Sequence, residues 1–255
     1  MTTLICSVTR SSFHDGPGLR SVVYFKGCPL KCAWCHNPEC ISFEQEELHH
    51  PEKCIGCGRC KDGCFSGAKE LCGREVSPQD LLSELLLDKP YFGTDGGVTL
   101  SGGEPLAHAK YIKKLLPLLE NEDIGCAIET SLVYFDADIL SRMKCVMADL
   151  KIWDSDIHER YTGIKNDGIK KNFQKLDKLG IPIIARTPVI PGVDQQIDKI
   201  SEFLHTLSNV KKYELLKYHP LGADKYASLG KTACDFGVLD ENYFKEMQKY
   251  AFDIR

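Results

Sequence analysis

No apolar run in this chain approaches the roughly 20 residues that a membrane-spanning helix needs. The first residues, Met1 to Ser7, also lack the basic-then-apolar pattern of an export signal. A basic excess is missing too. The formal charge of −4 gives no electrostatic reason to bind nucleic acid or an anionic membrane. No internal repeat or low-complexity segment stands out. These absences predict a cytoplasmic protein with neither a nucleic-acid nor a membrane partner. The 255 residues can bury a full core, and 43% hydrophobic with 27% charged residues is an ordinary globular balance.

What the chain has in excess is cysteine, 13 in all, and without an export signal these do not read as disulfides. Cys28, Cys32 and Cys35 follow the spacing C-x3-C-x2-C with no fourth cysteine at a matching distance. Three thiolates on a tight loop can hold three corners of a 4Fe–4S cubane and leave the fourth iron open to a ligand. A structural zinc knuckle and three buried free thiols are the bland alternatives. Cys54, Cys57, Cys60 and Cys64 form C-x2-C-x2-C-x3-C, the bacterial ferredoxin run, with Phe65 where a proline usually follows. They predict a second 4Fe–4S cluster, with Cys72 or Cys40 as the alternative to Cys64 for its fourth ligand. The remaining cysteines read as small apolar fillers.

The strand Ser21–Phe25 delivers the chain to the first cysteine loop, after the turn-forming segment 15–20. Residues 41–75 are polar and carry the second run. From Ser77, an N-cap followed by Pro78 and an acidic Asp80, strand–helix alternation becomes regular. Strands are expected at 97–100, 124–129, 145–150, 182–187 and 213–218. Helices are expected near 108–121, 136–143, 168–179, 195–207 and 240–250. Counting the N-terminal strand, about six β/α units result, which implies parallel strands with right-handed crossovers. Six are too few for a closed eight-stranded barrel. The expected fold is α/β, a partial (β/α)6 TIM-like barrel (1–40 and 76–255) with a small ferredoxin-like iron–sulfur insertion (41–75).

Polar residues cluster where such a barrel carries its chemistry, at the C-terminal ends of its strands. They are Gly102-Gly103-Glu104, Glu129-Thr130, Asp149 to Lys151, the stretch from Arg186 to Gly192, and His219. Singly, each is more often a solvated edge, an ion pair or a turn than a site.

The C-x3-C-x2-C loop with Trp34 before its last cysteine resembles the radical S-adenosylmethionine superfamily. The strings Asp15-Gly16-Pro17-Gly18-Leu19-Arg20, Lys26 to Glu39, Gly97 to Leu106, Asp149-Leu150-Lys151 and Arg186 to Gly192 resemble, in order, its glycyl-radical-enzyme activating branch. That resemblance implies an anaerobic oxidoreductase. It would cleave S-adenosylmethionine reductively and take a hydrogen from a backbone glycine of a partner glycyl radical enzyme. A flavodoxin or ferredoxin would supply electrons. The resemblance leans to a dehydratase as partner, such as a hydroxyproline or diol dehydratase. By the same resemblance Gly102, Gly103 and Glu104 hold the methionine amino group. Glu129, Thr130, Met147 and Asp149 serve the carboxylate and a monovalent cation, while Lys151, Arg186 and His219 face the cofactor. Val189 and Ile190 flank adenine, and Asp15 and His36 meet the partner's glycine loop. Departures from the branch are the single ferredoxin-type motif, the segment Glu129-Thr130-Ser131-Leu132 without the usual Asp and Gly, and Gly192-Val193-Asp194 without the asparagine common after the proline–glycine turn. A radical enzyme for a small metabolite and a ferredoxin-like electron carrier remain the alternatives.

Overall fold

The computed structural model describes residues 1–60 and 63–254; residues 61 and 62, within the second cysteine run, and residue 255 lie outside the described residues. The chain opens with β1 (Thr3–Ser12), which pairs antiparallel with β2 (Arg20–Phe25). After the first cysteine loop, β3 (Glu46–His49) and β4 (Lys69–Cys72) pair with each other as a separate two-stranded sheet. Next β5 (Arg74–Val76) joins β1, so residues 74 and 75 of the expected insert run in the main sheet.

The regular alternation starts at α1 (Pro78–Leu85), where the Ser77 hydroxyl accepts from the Asp80 N–H and Leu81, Leu82 and Leu85 face inward. It runs on through β6 (Gly97–Gly102), α2 (Ala109–Asn121), β7 (Cys126–Thr130), α3 (Ala137–Leu140) and β8 (Cys145–Asp149). Helices α4 (Ser155–Thr162) and α5 (Asp167–Asp177) lead to β9 (Ile183–Val189), α6 (Ile197–His205) and β10 (Val210–Lys217). The chain closes with α7 (Ala223–Ser228), α8 (Glu241–Met247) and β11 (Phe252–Asp253).

The main sheet has the order β11-β10-β9-β8-β7-β6-β2-β1-β5. Strands β2, β6, β7, β8, β9 and β10 are mutually parallel; β1 and β11 run antiparallel to them at the two sides, and β5 pairs antiparallel with β1. The expected mostly parallel α/β architecture is therefore present, with six parallel strands. Both faces of this sheet are covered, so β2 and β6 are buried along almost their whole length. Leucines of α1 and α2 pack with Val98, Leu100 and Ile128 in the main core.

Strands β1, β3, β4, β5 and β11 and helices α4 and α7 escape the sequence pattern. Strand β1 is half exposed, and β5 and β11 are too short to show a period. Helix α4 buries only His158 and Thr162 and owes its start to the Asp154 carboxylate, which accepts from the Asp156 and Ile157 N–H groups. Among the described residues no helix is long and apolar enough to cross a membrane.

Candidate active site

The loop after β2 carries Cys28, Cys32 and Cys35 to one wall of a cavity of roughly 680 Å3 at the C-terminal ends of the parallel strands. Backbone bonds hold this loop at both ends. Gly27 N–H donates to Cys40 O at 2.8 Å and Cys28 N–H to Ile41 O at 2.9 Å; Lys31 and Ala33 donate to Thr162 O and Tyr161 O at 2.8 and 2.9 Å. Trp34 anchors the loop's tip among Ile152, Ile190, Val193 and Tyr218, with Phe236 edge-on at 6.1 Å. Burial raises all three thiol pKa values, Cys35 to about 12. Bare, these thiols keep their protons, and a metal held there would displace them.

The opposite side of the loop's base is the end of β6. A Cβ on Gly102 would lie 2.5 Å from Phe25 N, and one on Gly103 would lie 2.4 Å from Gly27 O. Only glycine lets this turn reach the strand that feeds the cysteines. Gly103 and Glu104 N–H groups donate to Phe25 O and Gly27 O, each at 2.8 Å. Both glycines line the cavity. Glu104 does not. It is fully buried behind the wall, accepting from the Thr130 hydroxyl at 2.7 Å, the Ser131 N–H and hydroxyl at 2.9 and 2.6 Å, and the Leu106 N–H at 3.1 Å.

Glu129, Thr130, Asp149, Lys151, His36 and His219 share the cavity with the thiols. Lys151 Nζ donates to Asp149 Oδ2 at 2.5 Å. Burial disfavours the Lys151 ammonium, but the Asp149 carboxylate outweighs it and holds the pKa above the ordinary value. The His36 ring stacks on His219 at 4.1 Å and 23°. Burial pulls the His36 pKa down, and its Nε2 has no hydrogen-bond partner among the described residues.

Arg186 and Asp15 line a neighbouring cavity of roughly 730 Å3, which meets the first along Leu215, Leu216 and Gln248. Arg186 donates to Glu129 at 2.5 Å, to Glu214 at 2.9 Å and to His14 O at 2.9 Å. Among these partners only Glu129 also lines the first cavity. The Asp15 carboxylate accepts from the Ser12 hydroxyl. Asp15 and His36 therefore line different cavities. Met147, Val189 and Ile190 are buried and line neither, while Pro188 reaches the first cavity. Two residues went unread: Ser101, whose hydroxyl donates to Glu129, and Ser131, which braces Glu104. Each adjoins a polar strand-end motif, and adjacency was the available signal.

Cys54, Cys57, Cys60 and Cys64 line a single small enclosure with His49 and Ser66. The Ser66 hydroxyl brings the Cys64 thiol pKa down to about 7. Cys72 and Cys40 are grouped elsewhere. Cys6 and Cys72 both donate to Glu39 O, at 3.5 and 3.7 Å, and Cys40 is in hydrogen-bonding reach of Cys6.

The chain is similar to known proteins over most of its length. Residues 22–204 match the family model described as the Radical SAM superfamily. The chain is 35% identical to the trans-4-hydroxy-L-proline dehydratase activating enzyme of Clostridioides difficile, covering 91% of this chain and 89% of that protein. It is 37% identical to the pyruvate formate-lyase 2-activating enzyme of Escherichia coli K12 (89% and 81%) and 33% identical to the (2S)-3-sulfopropanediol dehydratase activating enzyme of Klebsiella oxytoca (89% and 85%). In fold it is similar to Streptococcus suis SuiB bound to S-adenosylmethionine, with a TM-score of 0.62 at 16% identity over 90% of this chain and 47% of that one.

Proposed function

The chain belongs to the radical S-adenosylmethionine superfamily and to its glycyl-radical-enzyme activating branch, and we propose that its partner is a glycyl radical dehydratase. It is an oxidoreductase that uses S-adenosylmethionine and a 4Fe–4S cluster. When bound, that cluster supplies the electron that cleaves S-adenosylmethionine to methionine and a 5′-deoxyadenosyl radical, which takes a hydrogen from a glycine of the partner.

Cys28, Cys32 and Cys35 are the proposed ligands. The observation that carries this is their convergence on one cavity with Gly102, Gly103, the Asp149–Lys151 pair and the His36–His219 stack. The donor set fits a three-cysteine cluster, and the glycine cradle leaves backbone, not side chain, against the loop's base. In this reading the wall at Gly102, Gly103 and Thr130 orients the amino-acid end of S-adenosylmethionine. Glu104 acts from behind by fixing Thr130 and Ser131. Lys151 offers its ammonium to the carboxylate end, and Glu129 with Asp149 supplies oxygen donors for a monovalent cation. His36 and His219 line the side that a glycine loop approaches. Trp34 and its apolar neighbours exclude water from the loop's tip.

A second 4Fe–4S cluster on Cys54, Cys57, Cys60 and Cys64, fed by a flavodoxin or ferredoxin, completes the proposal. The shared enclosure of these four thiols supports it. The dehydratase lean is supported by two relatives whose names are those of dehydratase activating enzymes. The test is anaerobic reconstitution with iron, sulfide, S-adenosylmethionine and dithionite. 5′-Deoxyadenosine is expected, together with a glycyl radical EPR doublet when a dehydratase partner is added. Absence of 5′-deoxyadenosine sinks the enzyme assignment; a doublet on a lyase or decarboxylase alone sinks the dehydratase.

A further inference from the structure

Arg20 is buried with no carboxylate in ion-pair range among the described residues, an expensive arrangement unless every N–H finds an acceptor. Every one does. Nε donates to Thr99 Oγ1 at 2.7 Å, Nη1 to Pro17 O and Asp95 O at 2.9 and 3.2 Å, and Nη2 to Val98 O and Gly125 O at 2.7 and 3.2 Å. A guanidinium so placed ties the starts of β6 and β7 to the segment Asp15–Gly18. It also sets the direction of a second bond. Because Thr99 Oγ1 accepts from Arg20, its own proton is free to point elsewhere, and it donates to Asp15 O at 2.6 Å.

The chain Arg20 Nε–H to Thr99 Oγ1–H to Asp15 O therefore holds the main chain of the residue that lines the cavity beside β10 and β11. Gly16 is pressed against the same arginine: a Cβ there would lie 3.0 Å from Arg20 Cδ, at a φ of 118°. Asp15 is pinned on its other side by Ser12, and the preceding His14 O accepts from Arg186.

We infer that Arg20 and Thr99 are positioning residues for the partner-directed step. They hold Asp15 in the wall of the neighbouring cavity, which meets the cysteine cavity along Leu215, Leu216 and Gln248 and in this reading receives part of the incoming glycine loop, while neither touches the cavity that contains the cysteines. This rests on the activating-enzyme reading and deepens it: these two residues govern how often a cleaved S-adenosylmethionine yields a radical on the partner, and leave the cleavage itself alone.

The test compares wild type with Thr99→Val, Thr99→Ser and Arg20→Lys, each reconstituted anaerobically. Three quantities are read: 5′-deoxyadenosine formed without partner, glycyl radicals per 5′-deoxyadenosine with partner, and amide hydrogen exchange of residues 13–19. Thr99→Val is expected to cut the radical yield roughly tenfold or more, to speed exchange in 13–19, and to leave partner-free cleavage close to wild type. Thr99→Ser, which keeps the hydroxyl, should restore both. Parallel loss of cleavage and radical yield would show a merely structural role, and unchanged exchange in 13–19 would overturn the anchoring. If Arg20→Lys fails to fold, the threonine pair still decides. A wild type that forms 5′-deoxyadenosine but no glycyl radical on any partner counts against the activating-enzyme reading, and the exchange arm then judges the anchoring by itself.

Discussion

Lys26 is fully buried at the end of β2, and its ammonium donates to Glu46 on β3 at 2.9 Å and to Glu39 O at 2.6 Å. One side chain thus joins the barrel, the end of the cysteine loop and the insert. Lys231 reaches the same Glu46 at 3.1 Å, and Lys225 reaches Glu39 at 2.6 Å. Removing one member of a buried pair leaves an uncompensated charge, whereas removing both costs far less. Glu46→Gln should therefore destabilise the apo-protein by about 2–4 kcal/mol, discounted because Glu46 is partly exposed. Lys26→Met with Glu46→Gln should recover more than half of that loss in urea unfolding. Additive losses in the double variant would mean the two groups do not act as a pair.

Glu104 accepts four hydrogen bonds from protein donors. In Glu104→Gln, an amide N–H2 must face at least one of those donors. Such a buried mismatch costs about 1–3 kcal/mol, and a thermal melt should fall accordingly. Affinity for S-adenosylmethionine should fall too, because Thr130 and Ser131 lose their brace. Unchanged stability would show that the four donors do not depend on the carboxylate.

His108 and His158 are both held below the ordinary histidine pKa of 6.5, chiefly by burial. Protonating His108 would leave its Nε2–H buried without an acceptor among the described residues. Below 6.5 the unfolded chain takes up protons that these rings refuse. Their contribution is therefore complete above that value and is lost as pH falls toward the folded-state pKa values. The slope is at most about 1.4 kcal/mol per pH unit for each ring. Melting of the apo-protein should drop between about pH 7 and pH 5, and His108→Leu should flatten the dependence. A flat wild-type profile over that range would refute the assignment.

Cys64 shares an enclosure with Cys54, Cys57 and Cys60, whereas Cys40 and Cys72 sit with Cys6 around Glu39 O. Cys64→Ser should lower iron in the reconstituted protein from roughly eight to roughly four atoms per chain. Cys72→Ala and Cys40→Ala should leave it unchanged. Iron analysis with Mössbauer spectroscopy checks both, and loss of cluster signal in Cys72→Ala would reverse the assignment.

The parallel α/β architecture was legible because short β-prone runs such as residues 22–25 and 146–148 recur between helices such as α1, which announce themselves by cap and leucine spacing. The half-exposed β1 and the polar α4 carry no such contrast, so tertiary packing alone defines them. The cysteine loop could be read directly, since ligand spacing on one loop is a local property and survives without a fold.

What surrounds that loop is different in kind. Sequence order put Glu104 beside Gly103 and so into the expected ligand wall. Only the fold turns its carboxylate away, because the donors of Thr130 and Ser131 arrive from the next strand. Arg186 stands at a strand end in sequence, yet Glu129, Glu214 and His14 O draw it to the neighbouring cavity. The cysteine spacing, the alternation and the strand-end positions were set by the chain itself. Which way each polar side chain points was decided by partners far away in sequence, since buried charges go where hydrogen-bond partners meet them.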